Sequence, residues 1–255
     1  MRYVETTPLF TVADLRLLYG DAMSDRTIFN MLDRLKKQER VRSVTRGVYS
    51  GVRSSGLTSR YDVPSKLRPD AVIACHSALE FHGVANQVFQ TVYYFSARPR
   101  ADVVFEGVTY HYVHPVAQLA RARRFDFQVE TGPNKVRVTA RERAFVDCLL
   151  FLEYSGGSDE LDRCLAMFPS FNFELALTYL RLLRQPWLYA RLGYLLDRHG
   201  ERLSFSRRWR DAFLRKLPRG TAYLEKKRSG GRWISTWNLM VPESFTLATE
   251  QVVHT

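Results

Sequence analysis

Two stretches that contain histidine have residue types that could bind a metal ion or supply a nucleophile and a base. His111 and His114 have His-x-x-His spacing, but they lie in a predicted strand, where residues three apart point to opposite faces. No cysteine or carboxylate nearby completes a metal-binding set, so we expect no metal site there. In Cys75-His76-Ser77 the thiol and the imidazole are adjacent, and adjacent side chains rarely meet as nucleophile and base. We expect Ser77 to cap a short helix instead.

The stretch Gly156-Gly157-Ser158-Asp159 contains a Gly-Ser turn of the kind that nucleotidyltransferases use with paired carboxylates. Those enzymes place the carboxylates later, a strand step apart, whereas Asp159 follows at once in a helical context. Ser158 or Asp159 is therefore better explained as a helix N-cap.

Glu142 and Asp147 are five residues apart on one predicted helix, so they do not share a face. We expect Arg141 or Arg143 to be their ion-pair partners. The sequence has no Gly-rich phosphate loop and no spaced carboxylate set of the kind that metal catalysis uses. It therefore predicts a protein that is not an enzyme and that uses no cofactor and no metal ion.

The charge of the chain points to a different kind of chemistry. With 38 Lys and Arg against 26 Asp and Glu, the formal net charge of the 255 residues is +12, which favours a polyanionic partner. The basic residues are clustered: seven against one acid between Arg34 and Arg53, and eleven against two acids between Arg202 and Arg232.

The first cluster lies in a pattern typical of a winged helix-turn-helix. Thr11 and Asp14 form a predicted capping box, and Ser24 is a second predicted N-cap. After Ser24, apolar residues at i, i+3, i+4 and i+7 predict one buried stripe, and a hairpin with Gly47 at its tip follows. A winged helix normally begins with a further helix, and residues 1–8 are too short and too β-like to supply a full one.

This pattern predicts which side chains contact DNA. The second helix would enter the major groove with its N-terminal residues first, because those residues reach base edges. Residues farther along the helix and in the wing would contact phosphates or the minor groove. The predicted DNA-binding residues are Ser24, Arg26, Thr27, Asn30, Arg34, Lys37, Arg42 and Arg46.

The second cluster has two interpretations that the sequence leaves open. Basic residues among Trp209, Phe213, Tyr223 and Trp233 could form a second patch that contacts DNA, RNA or an acidic protein partner. Alternatively, an amphipathic helix buries its aromatic residues and exposes its arginines to solvent. The residues of this second basic patch are Arg207, Arg208, Arg210, Arg215, Lys216, Lys226, Lys227 and Arg228.

The chain length and the order of its patterns predict two domains and an α+β fold class. Residues 1–53 form the winged helix-turn-helix, and residues 54–69, rich in Ser, Gly and Pro, form a linker with a short helical turn near 64–67. Residues 70–255 form a mixed α/β domain that is strand-rich from 70 to 140 and helical from 141 to 217. Three cysteines in apolar surroundings and the lack of any long apolar run predict reduced buried thiols in a cytoplasmic protein.

Four stretches resemble, in order, sequence blocks of AbiEi family antitoxins: RGVYSG (46–51), KLRPDAVIACHSALEFHGV (66–84), VTARERAFVDCLLFLEYSGG (138–157) and ARLGYLLDRHG (190–200). These antitoxins belong to the AbiE type IV toxin–antitoxin and phage-defence systems. The resemblance implies a transcriptional repressor of its own operon that binds inverted repeats in the promoter. It also implies a C-terminal domain that counteracts a nucleotidyltransferase-like toxin without requiring a stable complex.

Two other functions remain as alternatives. The protein could be a transcriptional regulator that responds to a ligand or a protein partner and has no toxin. It could also be a nucleic-acid-processing enzyme whose winged helix delivers substrate, which would require a carboxylate such as Asp159 in catalysis.

Overall fold

The computed structural model describes residues 2–54, 59–115, 125–131, 134–225 and 230–245. The fold is a mixed α+β fold, as the sequence predicted. Eleven α-helices lie in these residues: Arg2–Thr6 (α1), Val12–Tyr19 (α2), Asp25–Lys37 (α3), Asp62–Leu67 (α4), Cys75–Phe81 (α5), Arg141–Leu150 (α6), Ser158–Met167 (α7), Phe173–Leu183 (α8), Pro186–Arg198 (α9), Gly200–Leu203 (α10) and Arg207–Leu214 (α11).

The strands of the described residues form three sheets, with the orders β1-β3-β2, β6-β7-β5-β4-β9-β8 and β10-β12-β11. The strands are Phe10–Thr11 (β1), Val41–Thr45 (β2), Val48–Gly51 (β3), Val72–Ile73 (β4), Thr91–Phe95 (β5), Val103–Phe105 (β6), Val108–Val113 (β7), Asp126–Thr131 (β8), Asn134–Thr139 (β9), Ala222–Tyr223 (β10), Arg232–Ile234 (β11) and Leu239–Val241 (β12).

The chain divides into two compact units. Unit 1 comprises Met1–Ile73, Gln90–Pro115 and Phe127–Val138, and unit 2 comprises Ala74–Phe89, Val116–Asp126 and Thr139–Thr255. The domain boundaries predicted from the sequence, with a linker at 54–69, stay a prediction.

Helices α2 and α3 of unit 1 begin where their caps were predicted. The Thr11 backbone N–H donates to Asp14 Oδ2 at 2.8 Å, and the Asp14 N–H donates to Thr11 Oγ1 at 3.1 Å, which confirms the capping box. The Ser24 hydroxyl accepts from the Thr27 N–H at 3.2 Å. The stripe on α3 is buried in one apolar core with residues of α2, β1 and β3, as predicted: Ile28, Met31, Leu32 and Leu35.

The segment before α2 differs from the prediction. Residues Arg2–Thr6 form a helix rather than extended chain, although it has only five residues. Phe10 and Thr11 then pair with Tyr49 and Val48, so the hairpin β2-β3 belongs to a three-stranded sheet. Gly51 closes this sheet against α1, because a Cβ at this position would lie 2.4 Å from the Glu5 carbonyl oxygen.

The six-stranded sheet has both parallel and antiparallel pairs. Strands β5 and β7 are parallel, whereas β6 and β7 form an antiparallel hairpin with Phe105 opposite Val108. The two-residue tip, Glu106-Gly107, has positive φ at both positions (50° and 77°), which is the requirement of a type I′ turn.

Unit 2 is mainly helical, and helices α6 to α11 lie in the region from 141 to 217 that was predicted to be helical. Two predicted caps are wrong. Helix α5 begins at Cys75 after the N-cap Ala74, so Ser77 lies inside the helix. Helix α7 begins at Ser158 after the N-cap Gly157, and the Ser158 hydroxyl donates to Glu225 at 2.6 Å instead of capping.

The small sheet β10-β12-β11 in unit 2 was not predicted, because strands of two or three residues leave no readable alternation. The turn before β12 holds Trp237, whose Nε1–H donates to Asp197 at 2.7 Å and whose side chain is buried. No helix in the described part of the chain has the length and apolar character needed to cross a bilayer.

Candidate nucleic-acid interface

Helix α3 presents a polar and basic surface opposite its buried stripe. All eight side chains predicted to contact DNA are exposed, in α3, at its N-cap and in the β2-β3 hairpin: Ser24, Arg26, Thr27, Asn30, Arg34, Lys37, Arg42 and Arg46. The same periodicity that buries the stripe directs these residues outward, and the exposed side chains of α3 also include the apolar Phe29.

The N-terminal turn of α3 is held in place by polar contacts. The hydroxyls of Ser24 and Thr27 are 2.9 Å apart, and Ser24 also accepts the Thr27 backbone N–H. Arg16 of α2 forms a bidentate pair with Asp25, with N–O distances of 2.7 and 2.5 Å. Ser24 therefore has a structural role as a cap, and the contact between Arg16 and Asp25 fixes α2 to the start of α3.

The acids on α3 are paired with cations. The hydrogen bond from Arg16 lowers the pKa of Asp25, and Lys36 lowers the pKa of Asp33 in the same way. Within the part of the chain whose side chains the structure describes, no carboxylate lies within 4.0 Å of the charged groups of Arg26, Lys37 or Arg46. The surface therefore carries cationic groups that an anionic ligand could pair with.

The two hairpin arginines differ from each other. Arg46 lies at the tip between β2 and β3, beside Gly47, whose φ is +84°. Arg42, in β2, is paired with Glu106 at 2.7 Å. Since Glu106 is at the tip of the β6-β7 hairpin, sequence spacing gave no signal for this pair.

Unit 2 contains the described part of the second basic patch. Trp209 packs against Phe173 with ring centroids 5.5 Å apart, and Phe213 is fully buried, as expected for an amphipathic helix. Arg210 is paired with Asp197 at 3.0 Å, and Arg208 lies over the ring of Trp209. Arg207, Arg215 and Lys216 are exposed, whereas Lys226, Lys227 and Arg228 lie outside the described residues.

The residues that were considered as catalytic or metal-binding candidates from the sequence form ion pairs and hydrogen bonds with nearby side chains. His111 is paired with Asp102 at 2.9 Å, and His114 contacts the Tyr112 hydroxyl at 3.1 Å. The expected ion pairs are confirmed. Arg141 Nη2 lies 3.1 Å from Glu142 Oε1, and Arg143 Nε lies 3.2 Å from Asp147 Oδ2.

The three cysteines are free and buried, and burial raises the pKa of the Cys75 thiol. The sequence did not reveal that Cys164 lies beside His76 and Glu160. The described residues that could together hold a metal ion are these three, and they come from two helices far apart in the chain.

Comparisons with known proteins report a likeness of fold. No protein-family model matches the chain, and no curated protein matches it. Among solved structures, the crystal structure of the RV2827C protein from Mycobacterium tuberculosis is similar with a TM-score of 0.63. The alignment has 16% sequence identity and covers 96% of this chain and 90% of that chain, so the two proteins share a fold along nearly their whole length.

Proposed function

We propose that this protein is a DNA-binding antitoxin and transcriptional autorepressor of a type IV toxin–antitoxin operon. Its first fifty-odd residues act as a winged helix-turn-helix, with α3 in the major groove and the β2-β3 hairpin as the wing. The observation that carries the proposal is the exposed polar and basic side of α3, which begins at a start capped by Ser24 and lies opposite a buried stripe.

The side chains on this surface have separate roles in the proposal. Arg26 can donate two hydrogen bonds to guanine O6 and N7, and Asn30 can bond adenine in the same bidentate way. Lys37, Arg34 and Arg46 would contact phosphates, which gives affinity without sequence preference. Arg46 is better placed than Arg42 for this role, because Arg42 already pairs with Glu106.

The test is binding of the full-length chain to its own upstream DNA and to scrambled DNA over a salt series. We expect Arg26→Ala to lose about 1–3 kcal/mol of binding free energy on the operator and little on scrambled DNA. Arg46→Ala should weaken binding to both DNAs and reduce the salt slope by about 0.9. Equal losses on both DNAs for Arg26→Ala would refute the assignment of α3 as the recognition helix.

The antitoxin part of the proposal rests on the four sequence blocks that resemble AbiEi antitoxins. Its test is co-expression with the neighbouring gene, with cell growth as the readout. We expect growth to be restored by the wild type and by Arg26→Ala, because protection would depend on unit 2 rather than on operator binding. Operator binding without protection would instead favour the regulator that has no toxin.

A further inference from the structure

Unit 2 contains a buried group of three side chains with different donor atoms. His76 is in α5, Glu160 and Cys164 are in α7, and none is more than 2% exposed. His76 Nε2 is 3.0 Å from Glu160 Oε1, and Cys164 Sγ is 3.2 Å from the same oxygen. All three donor atoms lie within 4.8 Å of one another.

The helices place these atoms together for simple reasons. Glu160 and Cys164 are four residues apart, so they lie on the same face of α7. His76 is the second residue of α5, directly after Cys75, whose φ of +51° turns the chain from β4 into the helix. Gly156 has a φ of +79°, and a Cβ there would be 3.1 Å from Glu160 Cγ, so glycine leaves room for this carboxylate.

A second set of contacts orients the three side chains. Glu80 Oε1 lies 3.2 Å from His76 Nδ1 and accepts the Phe89 backbone N–H at 2.8 Å. Asn86 donates to Glu160 Oε2, and the Gln87 N–H donates to Oε1, both at 3.0 Å. A carboxylate on the second nitrogen of a histidine is the contact that fixes the tautomer and ring orientation of metal-binding histidines.

We propose that His76 Nε2, the Glu160 carboxylate and Cys164 Sγ bind a divalent transition-metal ion of borderline softness, such as Zn²⁺. A nitrogen, an oxygen and a sulfur donor form a set that suits Zn²⁺ and disfavours Mg²⁺ and Ca²⁺, which take oxygen ligands. Three protein ligands leave one position of a tetrahedral ion for a water molecule or for the second oxygen of Glu160.

Binding of a metal ion would replace hydrogen bonds that the cluster makes without it. The His76 ring nitrogens lie within hydrogen-bond distance of Glu80 and Glu160, and the Cys164 thiol donates to Glu160. A cysteine binds a metal ion as the thiolate, so the Cys164 proton would be released to solvent when the ion binds.

An exposed loop lies next to these ligands. Asn86 and Gln87, which donate to Glu160, are both exposed, so the cluster is close to solvent on this side. Phe89 in the same loop stacks on His76, with ring centroids 3.9 Å apart.

The test begins with the metal content of the full-length chain purified from zinc-supplemented medium. The chain is then unfolded with a chelator and refolded with Co²⁺ or without metal. We expect one ion per chain, the visible bands of tetrahedral Co²⁺ and a thiolate-to-cobalt charge-transfer absorption. The melting temperature should rise with metal concentration, since a ligand that binds only the folded state stabilises it.

The matched controls are the cysteines themselves, since Cys164 and Cys148 are both buried in unit 2. Cys164→Ser should lose the charge-transfer absorption, and Cys148→Ser should keep it. Equal loss in both variants, or a folded wild type that binds no Co²⁺, would overturn the proposal. If Cys164→Ser fails to refold, the spectrum of the Co²⁺-loaded wild type still tests the proposal. Bound cobalt without charge-transfer absorption would have no thiolate ligand, and that result would overturn the proposal.

Discussion

At the scale of single residues, one acid pairs with an arginine of the β2-β3 hairpin and so limits the positive charge that this hairpin presents. Glu106 is the ion-pair partner of Arg42. Its backbone is in the left-handed region, at φ +50°, which a non-glycine residue seldom adopts. We expect Glu106→Gln to free Arg42 for a phosphate, so DNA of any sequence binds more tightly. The slope of log affinity against log salt should become steeper by about 0.9.

The control for this prediction is Asp102→Asn, which changes the net charge equally in the same unit. Asp102 pairs with His111, which lies outside the β2-β3 hairpin. Binding of scrambled DNA, measured by fluorescence anisotropy, compares the two variants. An equal gain for both would indicate a general effect of charge and would contradict a direct role for Arg42.

A second residue-scale prediction concerns pH and unit 2. Burial raises the pKa of Asp147 to about 6, although Arg143, which also pairs with Asp126, and the Tyr179 hydroxyl favour ionisation. The folded state thus binds a proton more tightly than the unfolded chain, whose pKa is near 3.8. Relative to Asp147→Asn, the wild type should gain stability, on the order of 2–3 kcal/mol, as pH falls through 6 toward 4.

Urea unfolding of both proteins at several pH values measures this difference, because the other titrating groups cancel between them. Above pH 7 the difference should be constant. A wild type that loses stability relative to the variant below pH 6 would mean that Asp147 has a lowered pKa in the folded protein.

At the scale of secondary-structure elements, helix α9 depends on a glycine for its packing. A Cβ at Gly193 would lie 2.2 Å from the Trp237 ring, which is buried and held by Asp197. Alanine has a helix propensity about 1 kcal/mol more favourable than that of glycine, but overpacking costs about 1–3 kcal/mol. The steric overlap with Trp237 therefore outweighs the gain in helix propensity. We expect Gly193→Ala to lower the free energy of unfolding and to change tryptophan fluorescence.

Gly220 offers the matched control, because a Cβ there has no heavy atom within 4 Å. Gly220→Ala should change the stability by less than about 0.5 kcal/mol. Equal stability of the two variants would show that Trp237 can move away from α9 at no cost.

The starts of the helices show which parts of the fold could be predicted from the sequence. The starts of α2 and α3 were predictable because their caps bond within three residues, as Thr11 does with Asp14. The caps at Ser77 and Ser158 were wrong because tertiary contacts decide there, such as the bond from Ser158 to Glu225. The pair of Arg42 with Glu106 and the cluster of His76 with Glu160 join distant segments, which local periodicity does not report.

At the scale of the whole molecule, the chain passes between its two compact units more than once. Unit 1 contains the proposed DNA-binding residues, and unit 2 contains both the helical core and the proposed metal ligands. Substitutions in the two units should therefore act on different measurements. We expect Arg26→Ala to leave metal content unchanged and His76→Gln to reduce it, as measured by mass spectrometry of the dialysed chains.

Because the three thiols are buried, their reactivity measures local opening of the fold. Cys75, Cys148 and Cys164 all belong to unit 2, and burial raises the pKa of each. Only the ionised, accessible form of a thiol reacts with an alkylating reagent, so modification of the native chain must wait for a fluctuation that exposes it. The rate of thiol alkylation therefore reports how often unit 2 opens locally. Unit 1 contributes no signal, because all three cysteines lie in unit 2.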